Sequence, residues 1–185
     1  MIIYMVRHGE THYNELKLIQ GHIDNPLNQK GFDQAVDASK LLIEKKVNID
    51  EIISSPLIRA VQTATTIKDH LSFDKDIVIY HPFIERDFGD LDGMTIADAF
   101  PLIEAKYNGP NYESDQDLIH RTIHGILDLE KTYPNKQILA VVHSQVIKAV
   151  FVHLNPKVYS FTNFTIQNGE VVTIEVTNKN ISIIK

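Results

Sequence analysis

Short runs rich in Ile and Val alternate along this chain with segments whose apolar residues recur every three or four positions, and that alternation constrains the fold more than any other feature. The runs Ile2–Val6, Glu51–Ser54, Ile77–Tyr80 and Ile138–Val142 are too short for helices and read as buried strands. Between them, Phe32, Ala35, Val36, Leu42 and Ile43 share a helical face behind Asn28 as cap. Leu57, Ala60, Val61, Ala64, Ile67 and Leu71 form a second stripe, with Ser55 expected to cap it and Pro56 at its first position, where a missing N–H costs nothing. Ser114 with Asp117 opens a third helix, and Val146, Ile147, Ala149, Val150 and Leu154 mark a fourth directly after His143. Strands alternating with helices predict an α/β fold, a three-layer αβα sandwich around a mainly parallel central sheet.

Near the C-terminus the pattern changes. Thr165–Gln167 and Val171–Val176 flank Asn168-Gly169, a strong signal for a two-residue hairpin, and Ile181–Ile184 adds another strand, so antiparallel strands are expected there. A chain of 185 residues, 43% apolar and 23% charged, is expected to form one domain over residues 1–185. The least regular stretch, 83–113, is the expected lid or specificity region.

Composition removes several kinds of chemistry. Without Cys there are no disulfides, thiolate nucleophiles, Cys-ligated zinc or iron–sulfur clusters. The N-terminal apolar run lacks a basic flank before it and meets Arg7 after it, so it reads as neither signal peptide nor membrane span, and a cytoplasmic location is expected. A net charge of -6 without a run of Lys or Arg argues against a protein that tracks nucleic acid. Phosphate, if handled, must enter a local pocket. The helical stripes are compatible with a monomer or a homodimer.

In open α/β sheets, ligands bind outside the carboxyl ends of strands. There the chain reads Val6-Arg7-His8-Gly9 and Val142-His143-Ser144, and Arg59 lies in the first turn of the helix after a third strand. Two His and two Arg therefore converge from three strand–helix junctions, beside helix N-termini whose free N–H groups favour anions. Such a set suits a phosphoryl group.

Arg7-His8-Gly9-Glu10-Thr11 followed by Asn14, then Gln20-Gly21, Asp24, Pro26-Leu27 and Gly31, then the run from Ser54 through Ser55, Pro56 and Arg59 to Ala64, closely resembles the histidine phosphatase superfamily, the phosphoglycerate mutase-like fold. The resemblance covers Ile2 to about His153. It implies that His8 is the nucleophile, that Arg7, Arg59 and His143 bind the phosphoryl group, that Glu85 donates a proton, and that Asn14, Gln20 and Gly21 line the substrate side. Glu85 to Gly93 is similar to the family's acid motif, Glu followed by an aromatic-Gly pair and a later Gly. Ser144 departs from the pattern, since many relatives have Gly after the second His. As a pocket residue it is expected to cap the following helix, with its Cβ and hydroxyl able to narrow the phosphate site.

The implied activity is hydrolysis of a small-molecule phosphate ester through phosphohistidine, with no metal and no cofactor. The chemistry is reasonable in its own terms. A neutral imidazole, with a reference pKa near ~6.5, attacks through one nitrogen, and guanidinium groups take the charge a metal would otherwise neutralise. Glu85, pushed toward its protonated form by bound phosphate, donates to the leaving oxygen and then activates water, each transfer worth on the order of 10²–10⁴ in rate. Within the family, mutases carry a longer segment between the acid and the second His, with paired basic residues. Here Arg86–Val142 has no adjacent basic pair, which favours hydrolysis over phosphoglycerate mutase-type transfer, although Glu85-Arg86 also resembles the mutase branch. A catalytically weak phospholigand-binding protein on the same fold is the third reading.

Other constellations read as ordinary structure. His8 and His12 fail the zinc-protease spacing, because Glu10 stands third and Gly9 follows a strand end. His120 and His124 are expected to flank a buried helix side in solvent, and His22, His70, His81 and His153 to take surface or boundary roles. Asp90-Leu91-Asp92-Gly93-Met94-Thr95 has one residue too many for the Mg²⁺-dependent aspartyl-phosphate signature and is expected to be a turn with solvated acids. Arg121 is expected to pair with a carboxylate such as Asp117 or Asp128, or, like Arg86, to contact the substrate tail.

Overall fold

The computed structural model describes residues 1–184, whose regular elements run β1 (Ile2–Arg7), α1 (His12–Glu15), α2 (Gln29–Glu44), β2 (Glu51–Ser54), α3 (Ile58–His70), β3 (Val78–Ile79), α4 (Ile96–Glu104), α5 (Asp115–Thr132), β4 (Gln137–Val142), α6 (Ser144–Leu154), β5 (Val171–Thr177) and β6 (Asn180–Ile184). They form one six-stranded sheet in the order β3-β2-β4-β1-β5-β6. Its first four strands are parallel, and β5 and β6 run antiparallel to their neighbours.

Side-chain alternation along β1 and β4 explains the layers. Ile3 and Met5, with Ile138, Ala140 and Val142, pack under Leu118, Ile126 and Leu129 of α5 and Val146, Ile147 and Val150 of α6. Val6, Leu139 and Val141 face the other way, onto Ala35 and Leu42 of α2 and Ala60, Ala64 and Ile67 of α3. The helices after β1 and β4 thus lie on opposite faces, which opens a crevice at the carboxyl ends of these two central strands. Among the described residues, no helix is long and apolar enough to cross a membrane.

Several local expectations are corrected. α3 begins at Ile58 with Leu57 as its N-terminal flank, so Ser55 does not cap it; the Ile58 N–H is taken by the Asp24 carboxylate at 2.6 Å. Ser144 does not cap α6 either, because it is already helical and His143 occupies the flanking position. The two-residue hairpin turn is Asn178-Lys179, both left-handed with φ 51° and 66°, between β5 and β6. Thr165–Gln167 forms no strand. The Gly169 N–H reaches the Arg7 carbonyl at 3.0 Å and the Ile166 carbonyl accepts from Arg7 at 2.6 Å, so this segment is drawn to the end of β1. Ile77–Tyr80 shortens to two strand residues because the chain turns into a tight helical turn at His81–Phe83, with Pro82 inside it. Within 83–113, α4 forms behind the Thr95 cap despite Pro101, and Ala99 packs with Ile19, Phe88 and Leu91.

Candidate active site

Parallel register sets Arg7 beside Val142 and Ser54 beside Val141, so His8, Ser55 and His143 leave the sheet at neighbouring points. After β1 the backbone passes very close to the start of α2. A Cβ added at Gly9 would lie 2.1 Å from the Gly31 carbonyl oxygen, and one at Gly31 would lie 2.2 Å from that of Glu10. Only glycine at both positions permits this approach, which fixes the loop carrying His8. The Gly9 N–H is satisfied by Thr63 Oγ1 at 3.0 Å.

The partners of His8 define its tautomer. Its Nδ1 lies 2.7 Å from the Gly9 carbonyl, an acceptor only, so Nδ1 carries the proton. Arg59 Nε, a donor only, lies 3.3 Å from Nε2, which is therefore the unprotonated nitrogen. Burial and the adjacent Arg59 and Arg7 hold the His8 pKa well below its usual 6.5. The His143 ring lies 5.0 Å from that of His8, its Nε2 is 2.6 Å from Ser55 Oγ, and burial followed by Arg59 likewise lowers its pKa. Ser55 serves the second His instead of a helix.

Arg59 donates to the carbonyls of Gln20 (3.0 Å), Gly21 (2.8 Å) and Ile23 (2.8 Å), tying that loop to α3. Burial lowers its pKa to about 10, so it stays cationic at neutral pH. Gln20 accepts from Thr11 at 2.9 Å, while Asn14 accepts from Asn168, which also donates to the His8 carbonyl at 2.9 Å. Asn168 was legible as half of an Asn-Gly turn, but its bond to the His8 loop was not.

Glu85 is 7% exposed, and burial raises its pKa against the opposing pull of the Arg86 N–H, Arg59 and Arg7. Arg121 fixes its backbone by donating to the carbonyls of Pro82 (2.9 Å), Ile84 (2.7 Å) and Glu85 (3.1 Å). The carboxylate facing Arg121 is Glu113, at 2.5 and 2.8 Å, and not Asp117 or Asp128, which bond Ser114 and Lys131. Removing Arg121 would leave Glu113, 15% exposed, and three carbonyls without this donor. Arg121→Met is therefore expected to cost about 2–3 kcal/mol in urea unfolding; a loss below about 1 kcal/mol would contradict this account.

A cavity of about 260 Å³ gathers Arg7, His8, Asn14, Gln20, Arg59, Glu85 and Ser144 on its wall. His143 stands behind His8, and Gly21 packs away from the cavity, where a Cβ would lie 2.5 Å from the Arg86 carbonyl. Asp92 is not a merely solvated acid, since it accepts from the Gly21 N–H at 2.6 Å and so shapes the Gln20–Gly21 loop. Arg86 does not line the cavity; it is buried, paired with Asp115 and 4.5 Å from the Phe161 ring centroid. His120 and His124 are exposed on α5, rings 4.1 Å apart. Lys148, on the cavity wall, was not singled out from the sequence, because its α6 position reads as one polar residue in an apolar stripe.

A sequence model of the histidine phosphatase superfamily (branch 1) matches residues 3–185, further than the motifs alone extend. The chain belongs to this superfamily. Uncharacterized phosphatase PhoE of Bacillus subtilis is 35% identical over 153 residues, 83% of this chain and 77% of that protein. Fructose-2,6-bisphosphatase TIGAR of Xenopus laevis is 43% identical over 97 residues, 51% of this chain but only 34% of that protein. A mutant phosphoserine phosphatase of Entamoeba histolytica, solved with phosphoserine, superposes with a TM-score of 0.84 at 27% identity, covering 100% of this chain and 95% of that one. The sandwich is accordingly the phosphoglycerate mutase-like fold, and the chain is a phosphatase of this superfamily.

Proposed function

We propose that the protein hydrolyses a small phosphomonoester through a phosphohistidine on His8, without a metal. His8 Nε2 attacks phosphorus and forms an N–P bond as the P–O bond to the alcohol breaks. Glu85 gives its proton to the departing oxygen. Its carboxylate then takes a proton from a water whose oxygen attacks the phosphohistidine, releasing inorganic phosphate and restoring both groups. Arg7 and Arg59 take the charge of the transferring group, with Asn14, Gln20 and Ser144 on the cavity wall and His143 behind the His8 ring as the further residues assigned to it in this reading. The observation that carries this reading is geometric: on one cavity wall stand a buried His8, with Nδ1 facing the Gly9 carbonyl and Nε2 facing Arg59 Nε, and a buried Glu85, whose pKa burial raises. Among the described residues, Arg7 Nε and Gln20 Nε2, both from side chains on the cavity wall, are buried polar atoms without a protein partner, as expected of groups that meet phosphoryl oxygens.

Hydrolysis is favoured over mutase transfer because Arg86, the basic residue beside the acid, is already engaged with Asp115 and Tyr112 and so is not placed to hold a second acidic group. p-Nitrophenyl phosphate is expected to be hydrolysed at an unchanged rate in excess EDTA. Complete loss of activity on chelation, restored by a divalent cation, would overturn the metal-free reading.

A further inference from the structure

Beyond its charged end, the cavity is walled largely by carbon. α4 contributes Ile96, Phe100 and Ile103, spaced four and three residues apart on one helical face, and the segment after α6 contributes Phe161 and Phe164. Phe161 is packed at 6% exposure, but Ile96 remains 44% exposed and Phe100 37%. Large apolar side chains left open at the mouth of a polar-ended cleft mark a surface that an apolar ligand group covers.

Among the described residues, the only Lys or Arg on the cavity wall besides Arg7 and Arg59 is Lys148. Its Nζ donates to the Phe161 carbonyl at 2.9 Å and lies 5.2 Å from the Phe164 ring centroid, so its ammonium already braces the aromatic wall. Burial lowers its pKa to about 8. One of the three ammonium donors of Lys148 is thus committed to the aromatic wall, and the rest of the outer surface is dominated by the carbon of Ile96, Phe100, Ile103, Phe161 and Phe164, which suits an apolar group better than a second anion. An apolar cavity of ~150 Å³ holds benzene, so about 260 Å³ accommodates a phosphoryl group together with one ring or a branched alkyl group.

We infer that this outer cavity selects phosphomonoesters whose leaving alcohol is apolar, carrying an aromatic ring or branched alkyl group and no second charge, with Ile96 and Phe100 as specificity-determining residues. The inference rests on the phosphatase reading of the same cavity.

The test compares three primary-alkyl esters whose leaving alcohols differ in polarity: 2-phenylethyl phosphate, glycerol 1-phosphate and O-phosphoserine, with p-nitrophenyl phosphate as the activity control. The expected result is kcat/KM about tenfold or more higher for the phenylethyl ester than for the other two, a size typical of apolar pocket contacts. Phe100→Ser, and separately Ile96→Ser as a second exposed position, are expected to raise KM for the phenylethyl ester about fivefold or more while leaving that for glycerol 1-phosphate within about twofold. Equal kcat/KM for all three esters would overturn the inference while leaving the phosphatase reading standing. A preference for O-phosphoserine that disappears in Lys148→Met would also overturn it, making Lys148 an anion ligand. No turnover of any ester, p-nitrophenyl phosphate included, would bring down the phosphatase reading and this inference with it.

Discussion

Replacing His8 by Ala is expected to lower kcat/KM for p-nitrophenyl phosphate by at least about 10⁴-fold, the scale of losing a covalent nucleophile. The reason lies in how the sequence prepares the imidazole. β1 delivers it to the sheet edge, Gly9 and Gly31 allow the loop to close onto α2, and the Gly9 carbonyl fixes the proton on Nδ1. Burial and two guanidinium groups then keep Nε2 unprotonated, so the attacking form predominates at neutral pH. Circular dichroism of the variant is expected to match the parent, since the core clusters do not include His8. A folded His8→Ala protein retaining more than a tenth of parental activity would rule out nucleophilic catalysis by this residue.

The second large effect is expected at Glu85, and its size should depend on the leaving group. In Glu85→Gln the first turnover of an alkyl phosphate is expected to slow about 10²–10⁴-fold, whereas p-nitrophenolate, which leaves without a proton, should be released within about tenfold of the parental rate. Breakdown of the phosphoenzyme also loses its base, so p-nitrophenyl phosphate should give a burst of one equivalent followed by slow turnover. The pH dependence has a definite sign. The acid must be protonated in free enzyme, so kcat/KM for alkyl esters falls as pH rises through the Glu85 pKa, which burial places above the usual 4.5. On the acid side activity falls as His8 gains its proton, below the usual 6.5. In Glu85→Gln the alkaline fall should vanish for the alkyl esters, and p-nitrophenyl phosphate should show no such fall even in the parent. Equal losses for the two ester types, with the alkaline limb unchanged, would remove Glu85 from the acid role.

Strand and helix periodicity carried the four parallel strands and the helices that cover them, because burial on a sheet face or a helix stripe is written directly in residue order. The convergence of Arg7, His8, Arg59 and His143 was legible for the same reason, each lying where an apolar run ends or a helix begins. What escaped were bonds between segments distant in sequence. Asp24 supplies the cap that Ser55 was expected to give α3, which leaves the Ser55 hydroxyl for His143. Asn168-Gly169 carries a hairpin signal, yet its partners are the His8 and Arg7 carbonyls. The pairing of Arg121 with Glu113 has no local signature, since eight positions on one side and a loop on the other bring the two together only once α5 packs against the Glu85 segment. Turn chemistry and charge pairing were locally ambiguous, and tertiary contacts decided them.

The central claim, covalent catalysis on His8, is tested most directly by trapping. Protein mixed with a ³²P-labelled phosphomonoester and quenched in denaturant at alkaline pH, where phosphohistidine persists, should carry label on the peptide containing His8. That label should be lost in mild acid, accumulate further in Glu85→Gln and be absent in His8→Ala. Active enzyme that turns over the ester in the same mixture yet carries no label in either the parent or Glu85→Gln, or label on any residue other than His8, would contradict the account.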